Sequence, residues 1–209
     1  MSAGSDLWPG RVRAAYTGAF GDDVTFDDGF GPLTVDVPAE GWVEALRLAR
    51  DGLDCTFFDF LTAVDELGSE HGGFRIVCHV ADHHSSGPGG VLHLVVRTLV
   101  PRDAAVLASA AGVYAGARWH ERETHEMFGV DFTDAEGQVL TLEKLLLPDE
   151  FEGHPLRKEF VLASRVAKPW PGAKEPGESD ADKEGGHAPA ATRRRVKPPG
   201  VPDDWRHHG

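Results

Sequence analysis

Two histidines stand beside glutamates in residues 119–129, which read WHERETHEMFG. Zinc hydrolases combine these residue types, with two histidines four positions apart on one side of a helix and a glutamate between them. His120 and His125 are five positions apart, which separates their side chains by about 140° around a helix. Thr124 takes the fourth position. The spacing therefore argues against a metal-dependent hydrolase that uses His120 and His125, and we keep it only as an alternative function.

The same segment carries charges of both signs between large apolar residues. A tryptophan precedes the charges and a Met-Phe pair follows them. Charged side chains that are packed away from water need partners. A solvated helix face would explain the charges more simply, but the flanking residues favour a helix end that is buried by the core or by another subunit. The charged residues are Glu121, Arg122, Glu123 and Glu126.

Five further histidines lie in or near a predicted hairpin, and imidazole suits zinc, copper and nickel. Two of them are adjacent in a predicted loop, and His79 and His93 could face each other only in one strand register. Solvated or hydrogen-bonded imidazoles are the simpler interpretation. The five are His71, His79, His83, His84 and His93.

The sequence does not indicate a self-sufficient active site. It contains only Cys55 and Cys78, both in apolar runs where a buried, reduced thiol is the simplest interpretation. An iron–sulfur cluster normally takes four thiolates. Neither a glycine-rich nucleotide-binding loop nor a G-x-S-x-G nucleophile motif is present. We therefore expect no catalytic residue, no metal and no cofactor on this chain.

The charge balance argues against nucleic-acid binding. The 209 residues carry a net charge of −13, whereas phosphate recognition needs a concentrated basic surface. The longest apolar runs are too short to cross a bilayer, and no secretory signal is visible, so we expect a cytoplasmic chain. A basic patch, Arg193 to Lys197, leaves open a free-standing acidic adaptor that recruits acidic partners through this patch.

Hydrophobic periodicity predicts an α+β domain with a mostly antiparallel sheet, flanking helices and an extended, poorly structured C-terminal tail. The loop Ala81–Gly90, rich in Gly, Ser and Pro, should join two strands into an antiparallel hairpin. Seven of the 14 prolines lie in residues 169–209, so we divide the chain into a domain of residues 1–167 and a tail of residues 168–209. The predicted helices are Ala39–Arg50, Ala104–Ala111 and Ala117–Phe128, and the predicted strands are Leu53–Val64, Phe74–Val80 and Val91–Leu99.

Two segments together resemble the C subunit of proton-pumping NADH:quinone oxidoreductase, respiratory complex I. The first is ARWHERE followed by MFG, in residues 117–129, and the second is EGHPLRKEF in residues 152–160. They are similar to the family's W-x-E-R-E-x-x-[DE]-[ML]-[FY]-G and G-H-P-L-R-K-[DE]-F blocks, in that order. The resemblance covers about residues 40 to 165.

This resemblance implies a non-catalytic member of the peripheral arm, on the cytoplasmic side of the cell membrane. The assembly would hold FMN, iron–sulfur clusters and quinone on its other subunits and couple electron transfer from NADH to quinone with proton translocation. The partners would be other complex I subunits, chiefly the D subunit beside the quinone site and also the B and I subunits. The expected interface residues are Trp119, Glu121, Arg122, Glu123, Glu126, Arg157 and Lys158.

Overall fold

The computed structural model describes residues 7–29, 31–84 and 90–161. The predicted tail and its basic patch lie outside these residues, so the division at residue 167 stays a prediction. Within the described ranges, no helix is long and apolar enough to cross a membrane.

A five-stranded sheet forms one layer of the fold. Its strand order is β1-β2-β5-β4-β3. Only β2 and β5 pair in parallel, and the other three neighbouring pairs are antiparallel. The predicted α+β class with a mostly antiparallel sheet is therefore confirmed. The strands are β1 (Thr25–Asp27), β2 (Leu33–Asp36), β3 (Phe57–Asp65), β4 (Phe74–Asp82) and β5 (Leu92–Val100).

Strands β4 and β5 form the predicted hairpin. Cys78 lies opposite Val96 in the register, and these two residues are fully buried. Alternate residues such as Arg75 and Arg97 point to the other, more exposed face. The alternation that predicted the hairpin thus separates a buried inner face from an outer face.

In the part of the chain that the structure describes, three helices cover the inner face, and one cluster of buried side chains joins them to the sheet. Helix α2 (Trp42–Arg47) lies where a helix was predicted, extended by a 3₁₀ turn at Ala39–Gly41 and a π-helical turn at Leu48–Gly52. Helix α3 (Ala117–Phe128) has the predicted bounds. Helix α1 (Trp8–Phe20) was not predicted.

The predicted helix Ala104–Ala111 is wrong. Residues Val106–Ala108 form strand β6, which pairs in parallel with β7 (Asp131–Thr133). Leu107 lies opposite Phe132, and both are buried. Alanine favours a helix, but helix propensity is a weak determinant that tertiary contacts override, and burial of this pair does so here.

The predicted strand Leu53–Val64 starts too early, since β3 begins at Phe57. Asp54 has a φ of +60°, which turns the chain before the strand begins.

Candidate functional site

Helix α3 ends where the chain must turn sharply. Gly129 has a φ of +70°, and its N–H donates to the His125 carbonyl oxygen at 2.8 Å. A left-handed glycine is a common helix end. The last carbonyl groups of a helix have no partner within it, so the carbonyl groups of α3 that precede Gly129 need donors from elsewhere.

Those donors come from the second of the two segments that resemble the family, residues 152–160, which we call the second motif; the first motif is residues 117–129. His154 Nδ1 lies 2.8 Å from the Glu126 carbonyl oxygen, and the Leu156 N–H donates to the Met127 oxygen at 3.1 Å. Arg157 Nε donates to the Phe128 oxygen at 2.6 Å. A side chain on Gly129 would overlap both Arg157 and His154. The two motifs that carry the resemblance therefore fold into a single unit, in which residues 154–157 cap α3.

Glu126 binds the main chain of a neighbouring loop. Its side chain is 4% exposed. The carboxylate accepts N–H groups from Leu145 at 2.6 Å and from Leu146 at 2.9 Å, with a longer contact of 3.3 Å from Leu147. The carboxylate thus fixes residues 145–147, which lack regular secondary structure, against α3.

Glu121 binds a second loop on the other side of the helix. It is 1% exposed and accepts hydrogen bonds from Ser109 Oγ at 2.7 Å and from the Ala110 N–H at 2.6 Å. Burial raises the pKa of Glu121 above its ordinary value, and these hydrogen bonds offset only part of that effect.

A half-buried arginine, Arg122, supports the exposed Trp119 on α3. The Arg122 guanidinium donates to the Glu143 and Lys144 carbonyl oxygens, at 2.8 Å each, and stacks on the Trp119 ring at 5.0 Å. Trp119 is 58% exposed, and Glu123 is exposed as well. Two of the predicted interface residues thus face solvent in this chain.

Asp65 ties the second motif to the sheet. Its buried carboxylate accepts the Lys158 N–H and the Leu67 N–H, both at 2.8 Å, and forms an ion pair with Arg102. Desolvation alone would raise the pKa of Asp65, but the bonds from Lys158, Arg102 and Leu67 together hold it below its ordinary value. Lys158 Nζ also donates to the Leu67 carbonyl oxygen at 3.0 Å.

The structure therefore gives five of the predicted interface residues partners within the chain. Their role in an interface with another subunit stays a prediction, as does that of the two exposed residues. The five are Glu121, Arg122, Glu126, Arg157 and Lys158.

The two histidines of the first motif point to different partners. His120 Nδ1 donates to the Leu61 carbonyl oxygen in β3 at 3.2 Å. His125 Nδ1 lies 3.2 Å from the Val130 carbonyl oxygen and 3.1 Å from Asp131 Oδ1. Across the described ranges, no three His, Cys, Asp or Glu side chains are arranged to hold a metal ion. His120 and His125 do not form a joint site.

The two cysteines are buried free thiols. Burial raises the pKa of Cys55 to about 12 and raises the pKa of Cys78 as well. Because the thiolate is the reactive form, neither side chain is prepared for nucleophilic or redox chemistry.

Three partners of α3 and its cap were not predicted from the sequence: Asp65, Ser109 and the loop of residues 143–147. Asp65 had a weak signal, since a carboxylate that directly follows an apolar strand is often placed to bind main-chain N–H groups in the next turn. The other two contacts depend on how loops cross α3 in three dimensions, which no local pattern shows.

Comparison with known proteins places this chain in one family. Residues 35–166 match the family model described as the 30 kDa subunit of respiratory-chain NADH dehydrogenase. The chain is 34% identical to the C subunit of the NADH-quinone oxidoreductase of Citrifermentans bemidjiense over 68% of this chain and 82% of that protein. It is also 34% identical to the corresponding C subunit of a Roseiflexus species, over 74% of this chain and 82% of that one.

A solved structure shares the fold. It belongs to the membrane-bound sulfane sulfur reductase, an archaeal respiratory membrane complex, and aligns with a TM-score of 0.54 at 22% identity. The alignment covers 81% of this chain and 94% of the other.

Proposed function

The chain belongs to the family of the 30 kDa subunit of respiratory-chain NADH dehydrogenase, and from this premise we propose that it works as the non-catalytic C subunit of the peripheral arm. In this role it supports the electron transfer from NADH to quinone that drives proton translocation. FMN, the iron–sulfur clusters and quinone lie on other subunits. The observation that carries the proposal is that both motifs fall within the family match and fold into one capped helix end.

The hydrogen bonds of the buried carboxylates on α3 support a structural role for this helix. Glu121 and Glu126 are buried, and each carboxylate accepts main-chain N–H groups within the chain. A general acid or base has to reach a substrate. These carboxylates are instead committed to holding loops, which favours a scaffold over an active site.

The exposed side of α3 is the proposed contact with the D subunit, with the B and I subunits as further neighbours. Trp119 is held in place by the stacked Arg122 guanidinium, which itself is fixed by two carbonyl groups. An ordered, exposed tryptophan suits the centre of an interface because it buries a large area at little cost in conformational entropy. The peripheral arm lies on the cytoplasmic side of the membrane, and this chain is a peripheral part of the membrane complex.

Co-purification from the native membrane tests the role. We expect the tagged chain to bring with it the subunits that carry flavin and iron–sulfur clusters. Recovery of the chain alone, under conditions that preserve the complex, would contradict the proposal.

The contact surface has its own test. Trp119→Ala should reduce the yield of the co-purified D subunit by about tenfold or more, in line with the loss of a central interface tryptophan. Phe57→Ala is the matched control, because Phe57 is a similarly exposed aromatic residue (50%) on β3. Equal yields from the two variants would show that Trp119 is not part of the interface with the D subunit, and they would not contradict the proposed role as a C subunit.

A further inference from the structure

Asp59, His79 and His93 form a chain of contacts on the outer face of the sheet. Asp59 Oδ2 lies 2.8 Å from His79 Nδ1, and His79 Nε2 lies 3.1 Å from His93 Nδ1. The two imidazole rings are nearly parallel, at 13°. These residues have no part in the helix cap or in the proposed function, so they raise a separate question.

An irregularity in β3 helps to bring the three together. The register between β3 and β4 shifts between Phe58 and Phe60, so Asp59 is the extra residue of a bulge. Bulges re-aim side chains and are frequent beside functional sites. Phe60 lies opposite His79 and stacks on its ring at 5.6 Å, which restricts the ring. The His79 side chain is 12% exposed, and His93 is exposed.

The hydrogen-bond chain fixes the free nitrogen of His79. An ionised carboxylate can only accept hydrogen bonds, so His79 Nδ1 carries the proton toward Asp59. In the neutral ring, Nε2 then holds a lone pair. The hydrogen in the contact between the two histidines must therefore come from His93 Nδ1. A carboxylate that orients an imidazole in this way is the usual outer partner of a metal-binding histidine.

We propose that His79 Nε2 and His93 Nδ1 bind a divalent transition-metal ion of the zinc, copper and nickel class, with Asp59 orienting His79. A nitrogen–metal bond of about 2.0–2.1 Å and the 3.1 Å separation of the nitrogens place the ion to one side of the line between them. The two rings, whose nitrogens point at each other in this structure, therefore turn toward the ion when it replaces their hydrogen bond. Water completes the shell. The ion displaces the proton on His93 Nδ1, and that proton moves to Nε2 of the same exposed ring, so no net proton is released.

The histidine pair differs from the two histidines of α3. His120 and His125 donate to carbonyl groups on separate elements, whereas His79 and His93 direct nitrogens at each other. The net charge of −13 and the carboxylate of Asp59 favour a cation over an anion at this place.

Histidine NMR with zinc alone tests the site. The full chain is labelled with ¹⁵N in its histidines, and His207 and His208 are replaced by Gln because adjacent histidines bind metals without a built site. The first equivalent of Zn²⁺ should move the signals of His79 Nε2 and His93 Nδ1, and the His93 tautomer should switch. His93→Gln should abolish this first binding event, and Asp59→Asn should weaken it by about 10- to 100-fold.

The controls separate this site from general histidine binding. His71→Gln and the double variant His83→Gln, His84→Gln should leave the first event unchanged, and amide spectra of every variant establish that it folds. Binding of the first equivalent at other histidines, or no shift at His79 and His93 up to millimolar zinc, would overturn the proposal. Neither result bears on the proposed role in the complex.

Discussion

At the scale of single residues, buried carboxylates in this protein act as acceptors for main-chain N–H groups. Glu126, Glu121 and Asp65 each take at least one such bond. Hydrogen bonds to an ionised group contribute about 1.5–3 kcal/mol, more than neutral ones. The loops beside α3 are therefore held by side-chain charge where regular secondary structure is missing.

Glu126→Gln should destabilise the fold by about 2 kcal/mol, because the amide replaces one acceptor oxygen with a donor that faces the N–H groups of Leu145 and Leu146. Urea unfolding measures the change. Glu123→Gln, on the exposed side of the same helix, is the control and should stay within about 0.5 kcal/mol of wild type. Equal effects of the two substitutions would show that the loop does not depend on the buried carboxylate.

Glu121 should make stability depend on pH in a specific direction. The fold raises the pKa of Glu121 above its ordinary value of 4.5. At pH values between 4.5 and this raised pKa, the folded state keeps a proton that the unfolded chain has released. Stability therefore falls as the pH rises through this window. The excess of the wild-type unfolding free energy over that of Glu121→Gln should shrink or reverse as the pH is raised from 4 to 7. A difference that grows with pH would contradict the raised pKa.

At the scale of elements, the end of α3 depends on the second motif. Gly129→Ala should destabilise the protein by more than Gly137→Ala, which has a similar positive φ of +79° but open space around its Cβ position. Backbone strain costs about 1–2 kcal/mol in both variants, and only Gly129→Ala also displaces His154 and Arg157. Thermal unfolding of the two variants gives the comparison. Identical losses would mean that the cap adapts without cost.

The sequence predicted those elements whose local pattern agrees with their tertiary surroundings. The predictions of the β4–β5 hairpin and of α3 were correct. Alternating apolar residues and a Gly-rich loop both indicated the hairpin, and Gly129 indicated the end of α3. Strand β6 was missed because the alanines of the surrounding segment, Ala104–Ala111, favour a helix, and because β6 pairs with β7, a strand that follows α3 in the sequence. Helix α1 was missed although Trp8, Val12 and Tyr16, its buried residues, recur at helical spacing.

The candidate site was only partly predictable for a related reason. Sequence reasoning found the charged residues of both motifs and rejected the spacing of His120 and His125, but it could not tell a contact within the chain from one with a partner. That Arg157 bonds the Phe128 carbonyl group follows from the path of the chain across the end of α3.

At the scale of the whole molecule, removal of residues 168–209 should leave the domain intact. The thermal midpoint should fall by no more than about 2 °C, which corresponds to less than about 1 kcal/mol for a domain of this size. Truncation after residue 153 is the matched comparison, since it also removes His154, Arg157 and Lys158 and so the cap of α3. It should cost several times more. A large loss from the shorter deletion would move the domain boundary beyond residue 167.

The cap also has a consequence for the order of events during synthesis. The carboxylate of Asp65 binds the N–H of Lys158, which lies 93 residues later in the chain. The last carbonyl groups of α3 bind residues 154–157, which also follow the helix. Since a chain leaves the ribosome from its N-terminus, the sheet and α3 are translated before the residues that close them. The nascent chain thus has an uncapped end of α3 until its second motif emerges. The cap can form only after translation has passed these residues, so the timing of translation limits when the domain completes its fold.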